Sequence, residues 1–568
     1  MTHTHTHTPM ASYPMHHTNR PRRASTSSRR SDTSTIALVS GETERPRRED
    51  IWRRREREQH RRTTERRGHW EQLESRERER PDQTRGIKRE HLGQKARAPP
   101  APNPAPNKPP VVGFWDPSLS AVRRQAVRLW VYTTVILILF ILSVLSIYWG
   151  VFSDLPENLG TLTIFVVDMD GAPPYNTSGH RPFVGPTMVA LAEEYRAQGN
   201  TLGFTAIAGD SYDNDPVAVR QAVYDWEAWG AVVINPNASA LLFSSLEKGN
   251  KTFDPAGACQ FTYVGSRDET NINSFILPIM ADFLTAGLGR AGRQWSQKAL
   301  DAAAGDKGPN KTLLSHLRDA PQLLNPGIGF STYDLRPFNP LVGIPAVSIG
   351  LIYLVILSFF SFSFYLPIHA KYISRPAPHL PVLKPPHYIL WRWLSTTTAY
   401  IFLSLAYSSI SLAYGINFSG SGGAQRVSST YSTSLAFGNS PAYGSNSFLV
   451  YWALNFFAMM ALGLACENVA MIVGAPWVGL WLIFWVITNV STAFYDVDIE
   501  PGFYRWGYAW PLHHVVQGAK QILFDLHSQI GINFAVLIAW AIVNTALFPF
   551  ACWFMKWKKM KGVNEYWR

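Results

Sequence analysis

Polar side chains within apolar stretches are the first candidates for chemistry, because an ionisable group at membrane depth is costly and usually functional. Glu467 lies in the motif ACENV, at the inner end of an apolar run. A carboxylate there predicts a substrate or proton path, while the competing interpretation places it at the solvated membrane interface. Three asparagines are further transport-path candidates, although interhelical hydrogen bonding is the simpler explanation for them: Asn455, Asn489 and Asn544.

Patterns for catalysis are weak in this chain. Asp168 and Asp170 precede a Gly-Ala-Pro-Pro turn and could form a carboxylate pair or a cation site, but a solvated turn explains them more simply. His180 stands alone, and no G-x-S-x-G nucleophile motif occurs. His513 and His514 are adjacent and would point to different sides of a helix, which suits metal ligation poorly. We therefore expect no enzyme, and no catalytic, cofactor-binding or metal site.

The sequence also has no loop of the form G-x-x-x-x-G-K-S/T, which would hold the phosphates of ATP. A transport function would therefore need a gradient or a separate energising subunit as its source of energy.

Charge is distributed unevenly along the 568 residues, whose formal net charge is +12. The first 128 residues hold 28 Lys and Arg against 15 Asp and Glu, in a segment rich in Ser, Thr and Pro. This composition predicts a disordered, basic cytosolic tail. The remainder is nearly neutral, which argues against a basic nucleic-acid-binding fold, and we expect no nucleic-acid partner. Three cysteines exclude a disulfide-rich scaffold.

Long apolar runs predict membrane spans. The run WVYTTVILILFILSVLSIY, at 130–148, has the length of a bilayer core at about 1.5 Å per residue. After almost two hundred residues five more runs follow, at about 344–366, 394–415, 447–466, 476–495 and 532–554. The sequence thus predicts six spans in a one-plus-five arrangement.

Flanking charge orients these spans, because cytosolic loops are enriched in Lys and Arg. The predicted loop 367–393 carries four basic residues and no acid: Lys371, Arg375, Lys384 and Arg392. The C-terminus after residue 555 is also basic. We therefore predict cytosolic N- and C-termini in a multi-pass protein, with the plasma membrane favoured over an internal membrane.

Glycosylation sequons provide a second line of evidence on orientation. They occur between the first two runs and in the next outer loop, at Asn176, Asn237, Asn250, Asn310 and Asn417. A sixth sequon, at Asn489, lies near the outer end of the fifth run. Their agreement with the charge rule predicts a glycoprotein whose large loop is extracytoplasmic.

The segment 152–342 is long enough to fold as a domain and alternates between strand and helix patterns. Strands are predicted within 161–170, 201–209 and 230–236, and an amphipathic helix over 215–229 begins after Asp215. A long helix is predicted over 274–302, although Gly287 and Gly289 weaken that prediction.

The fold class predicted from these features is a multi-pass α-helical membrane protein with an inserted extracytoplasmic α/β domain and a disordered basic N-terminal tail. Within the membrane part, the aromatic segment 496–531 is too broken to span and predicts an outer re-entrant or interfacial helix pair. The predicted domains are the tail 1–128, a first transmembrane helix 129–151, the α/β domain 152–342, a five-span domain 343–555 and a basic cytosolic end 556–568.

Several stretches resemble the fungal nitrosoguanidine-resistance family, which carries a DUF3533-type membrane domain distantly related to ABC-2 permeases and phage-infection proteins. The resemblance covers about 115–560 and rests on FVVDMDG, YDWEAWGAVVINPNASA, YVGSRDETNINSFILPIM, DLRPFNPLV and YRWGYAWPLHHVVQGAKQILFD. It implies a membrane protein linked to resistance against toxic compounds, through export or lipid organisation. No residue role comes with the resemblance.

Two functions follow as competing expectations. The first is a transport or resistance protein that exports or excludes toxic hydrophobic compounds or organises membrane lipids. Its partners would be membrane lipids, a small hydrophobic toxicant, and further copies of the chain or an energising subunit. The alternative is a non-transporting sensor or scaffold whose outer domain binds a ligand. An outer-facing hydrolase is the weakest expectation, because no nucleophile–base pair is visible.

Overall fold

The structure is a computed structural model that describes residues 111–177, 179–305, 308–325, 327–374, 383–418, 441–474 and 476–561. Residues 1–110 of the predicted disordered tail lie outside the described residues. The same is true of residues 562–568 and of parts of two predicted loops, 375–382 and 419–440. The end of the tail was wrongly predicted, because the structure is helical from Pro117 and the first long helix begins at Ser120, not at 129.

The first helix begins after a capped turn. Asp116 Oδ1 accepts a hydrogen bond from the Ser118 backbone N–H at 2.9 Å, which satisfies a donor at the start of the helical segment. Helix α1, Ser120–Phe140, continues through a π-helical turn, Ile141–Leu145, to Gly150. Most of its apolar side chains are exposed, as expected where lipid tails replace protein neighbours.

The residues after α1 form a mixed sheet flanked by helices. Its strands are β1 (Thr163–Asp168), β2 (Gly203–Ala208), β3 (Gly230–Ile234), β4 (Cys259–Tyr263) and β5 (Phe330–Asp334). They lie in the order β2-β1-β3-β4-β5, with β1 parallel to both neighbours, β4 antiparallel to β3, and β5 parallel to β4. The accompanying helices are α2 (Val184–Gln198), α3 (Pro216–Tyr224), α4 (Ala238–Lys248), α5 (Leu277–Ala304) and α6 (Lys311–Asp319). We call this part the sheet domain.

Helix α5 is the long helix that the sequence predicts. Met280, Phe283 and Trp295 on its core face have no solvent exposure and pack in one cluster with alternate residues of β1 and β3. A Cβ at Gly287 would lie 2.5 Å from the Met188 sulfur on α2, so close packing of the two helices requires glycine there. The residue that weakened the prediction therefore has a packing role.

A helical bundle follows, with helices α7 (Ile352–Ile368), α8 (Pro385–Ala413), α9 (Ser447–Val473), α10 (Val478–Ser491), α11 (Pro511–Phe524) and α12 (Ile530–Met560). Helix α9 is apolar on all sides and packs against α7, α8, α10, α11 and α12. Such a pattern is typical of a helix at the centre of a bundle.

Five helices of the described chain are long and apolar enough to cross a membrane: α1, α5, α7, α9 and α12. This supports a multi-pass helical membrane protein. The sequence prediction counted spans differently, because it included α8 and α10 and assigned α5 to the sheet domain. Helix α8 is long but rich in Ser and Thr, and α10 has 14 residues. A helix of that length covers about 21 Å, less than a typical hydrocarbon core.

Helix α11 lies inside the protein. All of its residues except Gln517 are buried, whereas an interfacial helix would expose one face. His513 Nδ1 is 3.1 Å from the Thr492 carbonyl oxygen, and His514 Nδ1 is 2.9 Å from Asn533 Oδ1. The two histidines thus have separate partners on different elements.

Candidate functional site in the membrane bundle

The structure places Arg392 inside helix α8, not in the loop 367–393 that the sequence predicted. Two prolines, Pro385 and Pro386, begin this helix, and proline is favoured in the first turn because its missing N–H is not needed there. Arg392 and Thr396 are four residues apart and so lie on the same face of α8. This face is turned towards α9, and the arginine is 1% exposed. The inner-loop assignment of Arg392 was therefore wrong.

Arg392 forms a buried ion pair with Glu467 of α9. The Nη2 atom of the arginine donates to Glu467 Oε1 at 2.5 Å, and the two side chains are 1% and 2% exposed. Thr396 Oγ1 donates to the second carboxylate oxygen at 3.1 Å. Glu467 is therefore a fully buried, hydrogen-bonded group, and the interpretation that placed it at the solvated interface does not apply.

Apolar and sulfur-containing groups surround the pair. Arg392 Nη1 lies 3.0 Å from Met471 Sδ and 3.7 Å from Cys552 Sγ, and the Phe548 ring centroid is 5.6 Å from the guanidinium carbon. Removing two ions from water costs several kcal/mol each, so such a pair adds little net stability. Loss of one partner, however, leaves an unpaired charge and costs about 3–5 kcal/mol. The pair thus holds α8, α9 and α12 in one arrangement.

Further buried polar contacts lie along the α8–α9 interface, closer to the start of α9. Asn455 Nδ2 donates to Ser408 Oγ at 2.9 Å, and the Tyr451 and Ser411 hydroxyls are 3.5 Å apart. Tyr451 also donates to the Ala346 carbonyl at 3.2 Å. We call the polar groups of this interface, from Glu467 to Tyr451, the polar seam. It contains two of the predicted path residues, Glu467 and Asn455, which lie about 18 Å apart along α9.

The other two predicted asparagines lie elsewhere. Asn544 Nδ2 donates to the Trp540 carbonyl at 2.9 Å, and Asn468 of α9 donates to the Asn544 carbonyl at 2.9 Å. Asn489 accepts a hydrogen bond from the Leu512 N–H at 3.2 Å and so connects α10 to the start of α11. Both act as links between helices, which was the alternative explanation for them.

A second charged layer joins the bundle to the base of the sheet domain. Lys520 of α11 lies 3.2 Å from Asp268, and Arg336 after β5 lies 3.0 Å from Asp525. All four side chains are at most 8% exposed. We call these four residues the junction cluster. Sequence reasoning missed both pairs, because their members are far apart in the chain.

Two further charged groups lie beside the junction cluster. Arg267 Nη1 donates to the Ala228 carbonyl at 3.0 Å and its guanidinium stacks on Trp229, and burial lowers the pKa of Arg267 to about 10. Glu500 is 4% exposed, and neither carboxylate oxygen has a hydrogen-bond partner in the described part of the chain. Burial, with smaller contributions from Asp496 and Asp268, raises the pKa of Glu500 to about 9. Glu500 is therefore a neutral acid at physiological pH.

In the predicted carboxylate pair of the sheet domain, Asp168 Oδ1 accepts a hydrogen bond from the Asp170 N–H at 2.9 Å, and Asp170 caps two helices. Asp170 accepts hydrogen bonds from the backbone N–H groups of Val184, at 3.1 Å, and Ser239, at 2.9 Å, at the starts of α2 and α4. A carboxylate is favoured there by the helix dipoles. His180 stacks on Phe243. Among the described residues, no group of three or more His, Cys, Asp or Glu could hold a metal ion.

Two sequons of the sheet domain, Asn176 and Asn237, lie at the edge of the sheet opposite to the junction cluster. Asn176 and Asn237 follow the carboxyl ends of β1 and β3, whereas β4 ends near the junction and runs antiparallel to β3. Asn176 and Asn310 are exposed, and Asn250 is half-buried. Asn417, which follows α8, is exposed as well.

Comparison with known proteins assigns the family. A family model described as "Protein of unknown function (DUF3533)" matches residues 133–546, which include the sheet domain and most of the bundle. An uncharacterised endoplasmic reticulum membrane protein of Saccharomyces cerevisiae is 25% identical over 478 residues, covering 79% of this chain and 85% of the relative. No solved structure matches the chain. The resemblance seen in the sequence motifs is thereby confirmed, and the chain belongs to the DUF3533 family of membrane proteins.

Proposed function

We propose that this chain is a six-span membrane protein of transport or resistance type, which exports or excludes toxic hydrophobic compounds or organises membrane lipids. The observation that carries the proposal is the Arg392–Glu467 pair, buried at the centre of the bundle. Ionisable groups within membrane bundles mark substrate or ion pathways by default, because their cost is otherwise hard to explain.

The pair is well placed to act as a closure between helices. It lies at one end of the polar seam, while the junction cluster closes the bundle towards the sheet domain. Alternate opening of two such charged layers would expose the seam to one side at a time. The charged side chains of each layer have their ion-pair partners only when that layer is closed. This favours two discrete arrangements of the helices over a continuous range of positions.

The proposal includes a topology. The sheet domain would be extracytoplasmic and glycosylated, and both termini cytosolic, in a plasma-membrane protein. The yeast relative is named for the endoplasmic reticulum, so localisation by microscopy belongs in the first experiment. With no nucleotide loop in the sequence, a gradient or a separate subunit would supply energy, and no enzymatic activity is proposed.

The test is retention of a toxic alkylator and of a fluorescent phospholipid in cells that lack or overproduce the chain. We expect lower retention on overproduction, and loss of that difference with Glu467→Gln. Glu157→Gln is the matched control, because Glu157 is an exposed carboxylate in the same chain. Equal retention in all cells, with correct localisation, would reject transport.

The junction cluster favours one alternative function, a sensor or scaffold in which ligand binding to the sheet domain acts on the bundle through α11. Resistance would then depend on cytosolic partners of the tail 1–128. Deletion of the tail separates the two functions: transport predicts that the retention difference persists, and a scaffold predicts that it disappears.

A further inference from the structure

A groove runs along helix α5 on the face of the sheet domain that the bundle does not use. It has a volume of about 1160 Å³ and lies between α5 and two further segments, at 254–256 and at 322–325 with 328–330. Its α5 wall extends from Thr285 to Gln297, a rise of about 18 Å. The volume exceeds the range of about 300–1,000 Å³ that is usual for small-molecule pockets, so the groove suits an elongated ligand.

The walls of the groove combine an apolar lining with charged side chains. Leu288, Leu324, Ile328 and Phe330 form an apolar lining. Arg293, exposed at the rim, has no hydrogen-bond or ion-pair partner in the part of the chain that the structure describes. The groove also contains one carboxylate, Asp254, which accepts a hydrogen bond from the Ala256 N–H at 3.0 Å and so caps the turn that follows it. A ligand matching the apolar lining and Arg293 has an apolar chain and an acidic group.

Gly289 lies in the α5 wall of the groove and provides a position for testing it. A Cβ at Gly289 would meet only Arg293 Nη1, at 3.6 Å, an ordinary contact, so alanine fits there without a change of packing. A much larger side chain at 289 would enter the groove beside Arg293.

The walls are held in place without a ligand. Ser296 Oγ donates to the Leu324 carbonyl at 3.3 Å, and the Gly329 N–H donates to the Pro255 carbonyl at 2.8 Å. The first bond joins α5 to the segment after residue 322, and the second joins that segment to residues 254–256, so the groove is largely pre-formed, as ligand sites usually are.

We infer that the groove of the sheet domain binds a single-chain acidic amphiphile, such as a fatty acid or a lysophospholipid, with its alkyl chain along α5 and its acidic group at Arg293. This binding site goes beyond the proposed function, since it requires neither the polar seam nor movement of the bundle.

The experiment uses the full chain in phosphatidylcholine nanodiscs, with 11-(dansylamino)undecanoate as a fluorescent probe and empty nanodiscs to subtract partitioning. We expect saturable binding, displaced by oleate and by oleoyl lysophosphatidate but not by uncharged monoolein or inorganic phosphate. Gly289→Trp should weaken binding by at least about tenfold, whereas Gly289→Ala should leave it unchanged.

Arg293→Gln should weaken binding of the probe by about tenfold and remove the preference for oleate over monoolein as a competitor. Arg196→Gln, the same change at an exposed site on α2, is the charge control. Equal binding by the Trp and Ala variants at 289, both with wild-type melting temperatures, would overturn the inference. Equal displacement by oleate and monoolein would also overturn it. Neither result depends on whether the bundle transports.

Discussion

Lys520 Nζ lies 3.2 Å from Asp268 Oδ2, so a buried ion pair joins helix α11 of the bundle to the residue that caps the short helix Glu269–Asn271, which precedes α5 in the sheet domain. Its members are 7% and 5% exposed and are separated by 252 residues in the chain. The sheet domain is thus not a loosely tethered loop, and its base is part of the same charged layer as the top of the bundle.

This ion pair predicts that replacing one member lowers the free energy of unfolding more than replacing both members does. Lys520→Met leaves the Asp268 carboxylate buried and unpaired, and should lower the free energy of unfolding by about 3–5 kcal/mol. Lys520→Met combined with Asp268→Asn should recover much of that loss. Thermal unfolding of purified protein in nanodiscs is the measurement.

An exposed pair provides the control for that experiment. Lys251 lies 3.6 Å from Asp319, with side chains 68% and 40% exposed. Lys251→Met should change stability by less than about 1 kcal/mol, because solvent screens the interaction. Equal losses of stability in Lys520→Met and Lys251→Met would contradict a buried, unscreened ion pair between Lys520 and Asp268.

A second prediction separates folding from function at the Arg392–Glu467 pair. Replacing both members, Arg392→Met with Glu467→Met, removes two buried charges and should leave stability unchanged or raise it by about 1–4 kcal/mol. Under the proposed function the same double variant should abolish the retention difference. Full activity in a well-folded double variant would show that the pair only stabilises the bundle.

The pKa of Glu500 predicts how stability depends on pH. Burial raises this pKa from 4.5 to about 9, so the folded state keeps a proton that the unfolded chain releases above pH 4.5. Stability contributed by Glu500 is fully present below pH 4.5 and falls as the pH rises towards about 9. The slope is at most about 1.4 kcal/mol per pH unit.

Glu500→Gln should remove this slope and raise the melting temperature at pH 8, because the amide is neutral at every pH. Asp498→Asn, at an exposed carboxylate two residues away, should retain the wild-type slope. Melting curves between pH 5 and 9 measure both variants. A glutamine variant that melts below wild type at pH 8 would show that Glu500 is ionised when folded.

Much of the sheet domain was predictable, because its first three strands are apolar runs bounded by turn residues. The predicted helix over 215–229 is shorter in the structure, ending at Tyr224, and Trp226 adopts a positive φ of 68°. Strands β4 and β5 were missed: they are five residues each, and pairing with β3 and with each other creates them. Local sequence carries little signal for such strands.

Of the Arg392–Glu467 pair, only Glu467 was predicted from the sequence as a candidate site residue. Glu467 stood out as a carboxylate in an apolar run, but Arg392 was counted among loop charges, since positive charge near a span normally marks the cytosolic side. The available signal was Pro385–Pro386, which starts a helix early enough to carry Arg392 into the bundle. Partners at the junction cluster depend on long-range contacts, and periodicity cannot reveal those.

Glycosylation provides the last prediction, and it tests the orientation of the sheet domain. Asn310 is exposed, but its side chain caps α6 by accepting from the Thr312 and Leu313 N–H groups. Thr312→Ala therefore removes the sequon and retains the cap. With the sheet domain extracytoplasmic, the untreated variant should run faster than the untreated wild type by about one glycan, and peptide N-glycosidase treatment of both proteins should abolish this difference. Ser491→Ala should change nothing, because Asn489 is fully buried. A wild-type chain that the glycosidase does not shift, or a shift that Ser491→Ala removes, would contradict the proposed topology.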